Sequence, residues 1–329
     1  MKRRKTIAAL AVLMTSAFLL TGCNVGKTAV VFTTNLNSRE VFKIENTSCS
    51  LSEAKVYLCN YQNIYGTAYG VDLWNHDSNK SSLEKYVKDI TISELTRVMC
   101  MDKLAKKQEI ALTEEEKKKA ANAAKAYYAS LTKDEIDYMD VGESTLKKMY
   151  EDYALAQKLY TSLTEGVDEE VSDDEARIME AMQIVVKDQA TADKVQSDLN
   201  AGRDFTAVAT DYNEGKQIEV TFGRGDMPEE VEKVAFNLEN DQISSCISTD
   251  SGYYFIKCTN KFNQELTDEH KATIVKEREK AAFDDVYESF VDGLDSTLNQ
   301  DLWDGVEVDP GDKVTTNSFF EVYDQYFKE

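Results

Sequence analysis

Between about residues 178 and 262 the helical texture of the chain gives way to short β-prone runs broken by turns, and this switch limits the fold more than any other feature. Ala181-Met182-Gln183-Ile184-Val185-Val186-Lys187 is strand-like, Thr191–Asn200 and Phe205–Tyr212 carry helical spacing, and Ile218–Phe222 is strand-like again. Pro228–Phe236 reads as a helix with proline in its first turn, where a missing N–H costs least. Ile243–Thr249 and Tyr253–Cys258 read as two strands around the turn Asp250-Ser251-Gly252. The segment is a compact α+β unit.

Long amphipathic helices lie on both sides of it. Ser50-Leu51-Ser52-Glu53 has the capping-box pattern, with Ala54, Tyr57, Leu58, Tyr61, Ile64 and Tyr65 recurring behind it at helical spacing. Ser81-Ser82-Leu83-Glu84, Thr113-Glu114-Glu115-Glu116 and Thr132-Lys133-Asp134-Glu135 give three more helix starts, and Leu146–Tyr160 carries another apolar stripe. Helix is expected again over Asp268–Leu298. The predicted class is therefore α+β, a mostly helical body into which the central module is inserted. Two β-prone runs, Ala29–Thr34 and Arg39–Ile44, read as a hairpin, and the aromatic tail Phe319–Phe327 reads as a docking segment.

Four cations, Lys2, Arg3, Arg4 and Lys5, precede an uncharged run of about 14 residues, Ile7–Leu20, too short to span a bilayer. Leu20-Thr21-Gly22-Cys23 follows and resembles a bacterial lipobox, which implies cleavage after Gly22, lipid on Cys23 and display at the outer face of a cell membrane. Removing residues 1–22 with those four cations takes the net charge from −22 to −26 and leaves 307 of the 329 residues. Such acidity argues against nucleic acid as a partner. Five cysteines remain, Cys49, Cys59, Cys100, Cys246 and Cys258, with no C-x-x-C pair and two histidines in the chain, so no metal site and no cofactor are expected. The cysteines read mostly as small buried apolar residues.

The central module resembles a parvulin-type prolyl isomerase domain. The resemblance rests on Gln183-Ile184-Val185-Val186-Lys187-Asp188, Ala192, Leu199, Gly202-Arg203-Asp204-Phe205, Val208-Ala209 and Tyr212. It continues through Phe222-Gly223-Arg224-Gly225-Asp226-Met227, Val234-Ala235-Phe236-Asn237-Leu238, Ile243-Ser244 and Gly252-Tyr253-Tyr254-Phe255-Ile256-Lys257. With the lipobox and the flanking helices, the whole chain resembles a PrsA-type foldase lipoprotein, more loosely the SurA-like chaperones. That resemblance implies a signal peptide at 1–22, a helical chaperone domain at 23–175, a parvulin-like domain at 176–262, and a C-terminal helix and tail at 263–329 packing on the helical domain. It implies unfolded or newly exported polypeptides as clients. Monomer and homodimer both remain open.

Isomerisation makes modest demands on side chains. Rotation about a peptide bond faces about 18–20 kcal/mol of lost resonance, and an enzyme lowers this by binding the twisted amide better than either planar form. The family pattern puts Met227, Val231, Phe236 and Phe222 around the proline ring, with Val231 where the family usually has phenylalanine. The family's two usual histidine positions hold Gln183 and Tyr254, while His76 and His270 lie outside the module. The loop after Tyr212, normally the site of a cysteine or aspartate, is shortened to Asn213-Glu214-Gly215-Lys216. Two expectations follow: a weakened isomerase using Gln183 and Tyr254 as hydrogen-bonding groups, or a catalytically silent domain acting as a client-binding surface. Arg224-Gly225-Asp226 spells an adhesion tripeptide, but it sits inside the family's turn pattern and reads as part of that turn.

Overall fold

The computed structural model describes residues 36–69, 77–308 and 313–328. The chain divides into two compact units, one formed by residues up to Glu165 together with Phe283 onward, the other by Gly166–Ala282. The fold is α+β. Among the described residues no helix is long and apolar enough to cross a membrane. Cys23, the lipobox and the run Ala29–Thr34 lie outside the described residues.

The first unit is a helical bundle with a small sheet. Strand β1 (Glu40–Ile44) pairs antiparallel with β2 (Thr47–Ser50), Phe42 opposite Cys49, and on its other side with β7 (Ser296–Leu298), Phe42 opposite Leu298. The hairpin that the described residues contain is therefore β1 with Thr47–Ser50. Ser50 ends β2 and at once caps α1 (Leu51–Tyr69): its Oγ accepts the Glu53 N–H at 3.2 Å, and Glu53 Oε2 accepts the Ser50 N–H at 2.7 Å. Helix α2 spans Asp77–Lys107, beginning ahead of the Ser81 start signal, which ends up inside it. Helices α3 (Glu114–Ser130) and α4 (Lys133–Met139) open with capping boxes from Thr113 and Thr132, each satisfying amides that helix geometry leaves without partners. Helix α5 (Glu143–Thr164) packs along α2 and α3.

Tyr57, Leu58, Leu104, Tyr127, Leu146, Tyr150, Tyr287 and Phe319 fill the core of this unit. The expected late helix corresponds to α9 (Gln264–Val291), which stops short of Leu298. The chain leaves the helix at Asp292-Gly293, and Leu298 becomes part of β7 because its backbone is needed by β1. Short α10 (Gln300–Asp304) buries Trp303, and α11 (Phe319–Phe327) lies against α3.

Asp102 on α2 is a buried carboxyl whose Oδ1 has no hydrogen-bond partner. Burial, reinforced by the charge of and a hydrogen bond with Asp152, pushes its pKa up to about 9, against the pull of Lys106 and Lys148. Asp152 in turn bonds Lys148 at 2.7 Å, and Lys148 also reaches Glu53 at 2.8 Å. The folded state thus keeps a proton that the unfolded chain releases near pH 4, so this group makes stability fall as pH rises from about 4 toward 9. Asp102→Asn, which keeps a hydrogen-bond donor toward Asp152, should flatten the pH dependence. Urea midpoints at pH 5 and pH 8 are expected to differ less in the variant, the wild-type loss from this group being at most about 1.4 kcal/mol per pH unit.

The second unit is built on a four-stranded antiparallel sheet in the order β4-β3-β6-β5, from β3 (Met179–Val186), β4 (Glu219–Phe222), β5 (Ile247–Thr249) and β6 (Gly252–Asn260). The expected strand from Ile243 is confined to β5, with Ile243 making one isolated bridge to Lys257. Ile184, Val186 and Phe255 face one side and pack on α6 (Gln189–Asn200) and α7 (Phe205–Tyr212) through Ala192, Val195, Phe205 and Val208. The other side is covered by α8 (Glu229–Ala235). Arg278 on α9 bonds the carbonyls of Asp168 and Glu170 and the Glu175 carboxylate, so the start of this helix and the segment after Gly166 belong to the same body. Of the five cysteines among the described residues four are buried and Cys246 is half-buried, and none of the five is in a disulfide.

Candidate functional site

The face of the sheet under α8 gathers the residues that the sequence points to. Strand alternation puts Met179, Ala181 and Gln183 on that face of β3, with Phe222 from β4 and Tyr254, Ile256 and Cys258 from β6. Gln183 stands opposite Ile256, and Val185 opposite Tyr254, so Gln183 and Tyr254 are diagonal neighbours on one surface. Val231 and Ala235 descend from α8 onto it, followed by Phe236 and Leu238.

Gln183 is 9% exposed, and its amide Nε2 donates to the Gln217 carbonyl at 3.1 Å, tying β3 to the segment leading into β4. Tyr254 is half-buried, with its hydroxyl 3.4 Å from Ser251 Oγ, which lies 3.1 Å from Thr249 Oγ1. Phe222 and Phe236 meet edge to face at 5.7 Å. Met227 is half-buried, and its N–H, like that of Gly225, donates to Glu232 Oε1, at 3.0 and 2.7 Å. That one carboxylate pins the turn before α8. Val231 has no exposed surface, and Phe222 and Phe236 are 3% and 7% exposed.

The surface therefore has two layers. Val231, Phe222 and Phe236 are core side chains under the sheet, while Met227 and Tyr254 reach its border. A proline ring can touch the border residues directly, and the core residues only where α8 moves. The polar groups present are hydrogen-bonding ones. Gln183 and Tyr254 both donate and accept, which suits a rotating amide, and neither is placed to take a proton as a general base would.

The shortened loop has a structural role. Asn213 Oδ1 accepts the Val185 N–H at 2.9 Å and the Gly215 N–H at 3.1 Å, while the Glu214 N–H donates to the Val185 carbonyl at 2.8 Å. The loop thereby completes the edge of β3 beyond the reach of β4. The tripeptide Arg224-Gly225-Asp226 is likewise held in the fold: Arg224 bonds Asp174, Gly225 has φ +91°, and Asp226 accepts the Gly223 N–H.

Two features escaped the sequence reading. The guanidinium groups of Arg177 and Arg224 sit 5.3 and 4.7 Å from the centre of the Phe236 ring, and Arg177 also donates to the carbonyls of Phe236 and Lys261. Arg177 and Phe236 border an open depression of about 480 Å³ that includes Asp174, Leu238 and Phe262. His270 on α9 bonds the Ala176 carbonyl through Nδ1 and closes on Gly223, where a Cβ would meet His270 Cε1 at 3.1 Å. No short motif carried either arrangement, because the partners lie on distant parts of the chain.

A sheet with this order, capped by α8 on the face carrying Gln183 and Tyr254, is the frame of a parvulin-type domain, and residues 141–272 match the family described as PPIC-type PPIASE domain. Over 225 residues the chain is 29% identical to the foldase protein PrsA of Caldanaerobacter subterraneus subsp. tengcongensis, covering 63% of this chain and 67% of that one. It is 30% identical over 202 residues to foldase protein PrsA 3 of Bacillus cereus, covering 59% of this chain and 69% of that one. A crystal structure of peptidylprolyl isomerase PrsA from Bacillus cereus matches 75% of this chain and 93% of its own, at 25% identity and a TM-score of 0.38. The chain belongs to the PrsA family of foldase proteins.

Proposed function

We propose that this chain is a lipid-anchored, extracytoplasmic folding factor that binds newly exported, unfolded polypeptides, with a parvulin domain that acts chiefly as a client-binding surface and isomerises slowly. On this reading residues 1–22 are a lipoprotein signal peptide, Cys23 carries the lipid, the unit made of residues 23–165 and 283–329 forms the chaperone body, and the unit 166–282, which extends the expected 176–262 at both ends, carries the parvulin domain. Met227 and Tyr254 meet the client, Gln183 bonds its rotating amide, and Val231, Phe236 and Phe222 back the surface. The observation that carries the slow-catalysis reading is the burial of Val231, Phe222 and Phe236 together with Gln183 engaged by Gln217.

The test is refolding of an exported protein whose slow phase is limited by X-Pro isomerisation, normally tens to hundreds of seconds. The mature chain should suppress aggregation at equimolar amounts while leaving the slow phase nearly unchanged at catalytic amounts. A large substoichiometric acceleration, lost in Met227→Ala, would instead establish a working isomerase. Labelled fatty acid should enter the wild-type chain in a bacterial host and be absent from Cys23→Ala; equal labelling would remove the anchor from this reading.

A further inference from the structure

Residues 314–318 run through the first unit without helix or strand, yet their main chain is bonded at nearly every step. Asn63 Nδ2 on α1 donates to the carbonyls of Val314 and Thr316, both at 2.9 Å. Glu135 Oε1 on α4 accepts the N–H groups of Thr315 and Thr316 at 2.9 and 2.8 Å. Asn60 Oδ1 accepts the Phe319 N–H, and the Tyr150 hydroxyl donates to the Phe319 carbonyl, both at 2.9 Å. Two side-chain contacts accompany these: Thr315 Oγ1 to Glu135 and Thr316 Oγ1 to the Tyr127 hydroxyl.

The receiving groups are buried: Asn60 is 0%, Asn63 8% and Glu135 2% exposed. A buried stretch of chain without helix or strand must have its N–H and C=O groups met by side chains, because each one left without a partner is costly. Here polar side chains from three helices are aimed at an extended backbone. Contacts to main chain carry no side-chain information, so they accept many sequences. Selectivity enters at one position, Phe319, stacked on Tyr150 at 4.3 Å and met by the rings of Tyr127 and Tyr57 at 5.4 and 5.5 Å.

We propose that this seat is a polypeptide-binding site that reads an extended main chain ending in an aromatic anchor, that residues 314–319 fill it in cis, and that aromatic-bearing segments of unfolded clients compete for it. The proposal rests on the folding-factor reading above. The tail then acts as a built-in competitor, keeping the polar groups of the seat satisfied until a client takes its place.

The experiment replaces residues 309–312 of the full chain by a protease recognition sequence, cuts after folding, and exchanges the released tail for a fluorescent peptide of residues 313–328. The probe is a permanently unfolded, carboxymethylated protein rich in phenylalanine and tyrosine, beside one of similar length lacking aromatic residues. The aromatic client should release the peptide with a midpoint about ten-fold lower than the other. In the uncut chain it should speed hydrogen exchange at the Thr315, Thr316 and Phe319 amides, a measurement that stands even if the cut protein loses its fold. Suppressed client aggregation with no peptide release and unchanged exchange would overturn the proposal, leaving the tail a fixed part of the core. Equal release by both clients would overturn the aromatic anchor. Failure to hold any client would sink the folding-factor reading, and this one with it.

Discussion

Phe319→Ala is expected to lower the stability of the helical unit by about 3–5 kcal/mol, read as a fall in the urea midpoint at unchanged slope. The side chain is fully buried, and truncation removes the centre of a cluster in which Tyr57, Tyr127, Tyr150 and Phe320 all touch its ring. The loss combines the transfer energy of a phenyl group with a cavity that the rigid neighbouring rings cannot close. Phe320→Ala is the matched control. Phe320 is only half-buried, against Tyr61 and Tyr153, so it should cost clearly less. Equal losses would mean that the stacked ring at 319 has no special weight.

Gly252→Ala should destabilise the second unit by roughly 3 kcal/mol, for two reasons that add. Gly252 has φ +137°, a region that side-chain-bearing residues rarely enter, and an added Cβ would lie 2.6 Å from the Val186 carbonyl oxygen. Val186 belongs to the central strand β3, so the clash cannot be relieved without shifting the β3–β6 ladder that carries Gln183 and Tyr254. Gly202→Ala separates the two causes. Its φ of +79° is also left-handed, but nothing lies within 4 Å of the new Cβ, so backbone strain alone, about 1 kcal/mol, remains. Hydrogen exchange along β6 distinguishes the variants, and a Gly252→Ala chain as stable as Gly202→Ala would show that the turn can move away.

What could be read in advance was local. Thr113 with Glu116 and Thr132 with Glu135 mark helix starts because a capping box needs only residues three apart, and both boxes are formed. Phe205–Tyr212 is equally visible from its apolar spacing, and in the structure Asp204 caps it. Leu298 misled, since Leu294 and Leu298 continue the helical period of α9 while the hydrogen bonds that make Ser296–Leu298 a strand come from β1, far away in sequence. Thr47–Ser50 was hidden by Ser50 serving both β2 and α1. At the site, the order of motifs put Gln183, Tyr254, Phe222, Val231 and Phe236 on one surface, but whether each is open or closed depends on how α8 seats, which residue types do not encode. Asn60 and Asn63 look like ordinary helix residues and Glu135 like a capping residue alone; their further partners lie between Tyr127 and Phe319, and only the folded chain brings these together.

The sheet of the first unit has a consequence for timing. Strand β1 needs β7, and Asp295 donates to Glu45 across 250 residues. A chain emerging with its N-terminus first can form the Thr113 and Thr132 helix starts at once, but the loop that joins β1 to β7 closes only after the whole of Gly166–Ala282 has been delivered. Pairings of such long sequence separation come late and slowly. The helical unit is thus unfinished until Ser296–Leu298 and Phe319–Phe327 arrive, so a copy terminated ahead of them exposes an unpaired strand edge and an empty aromatic seat, the kind of surface that proteases attack.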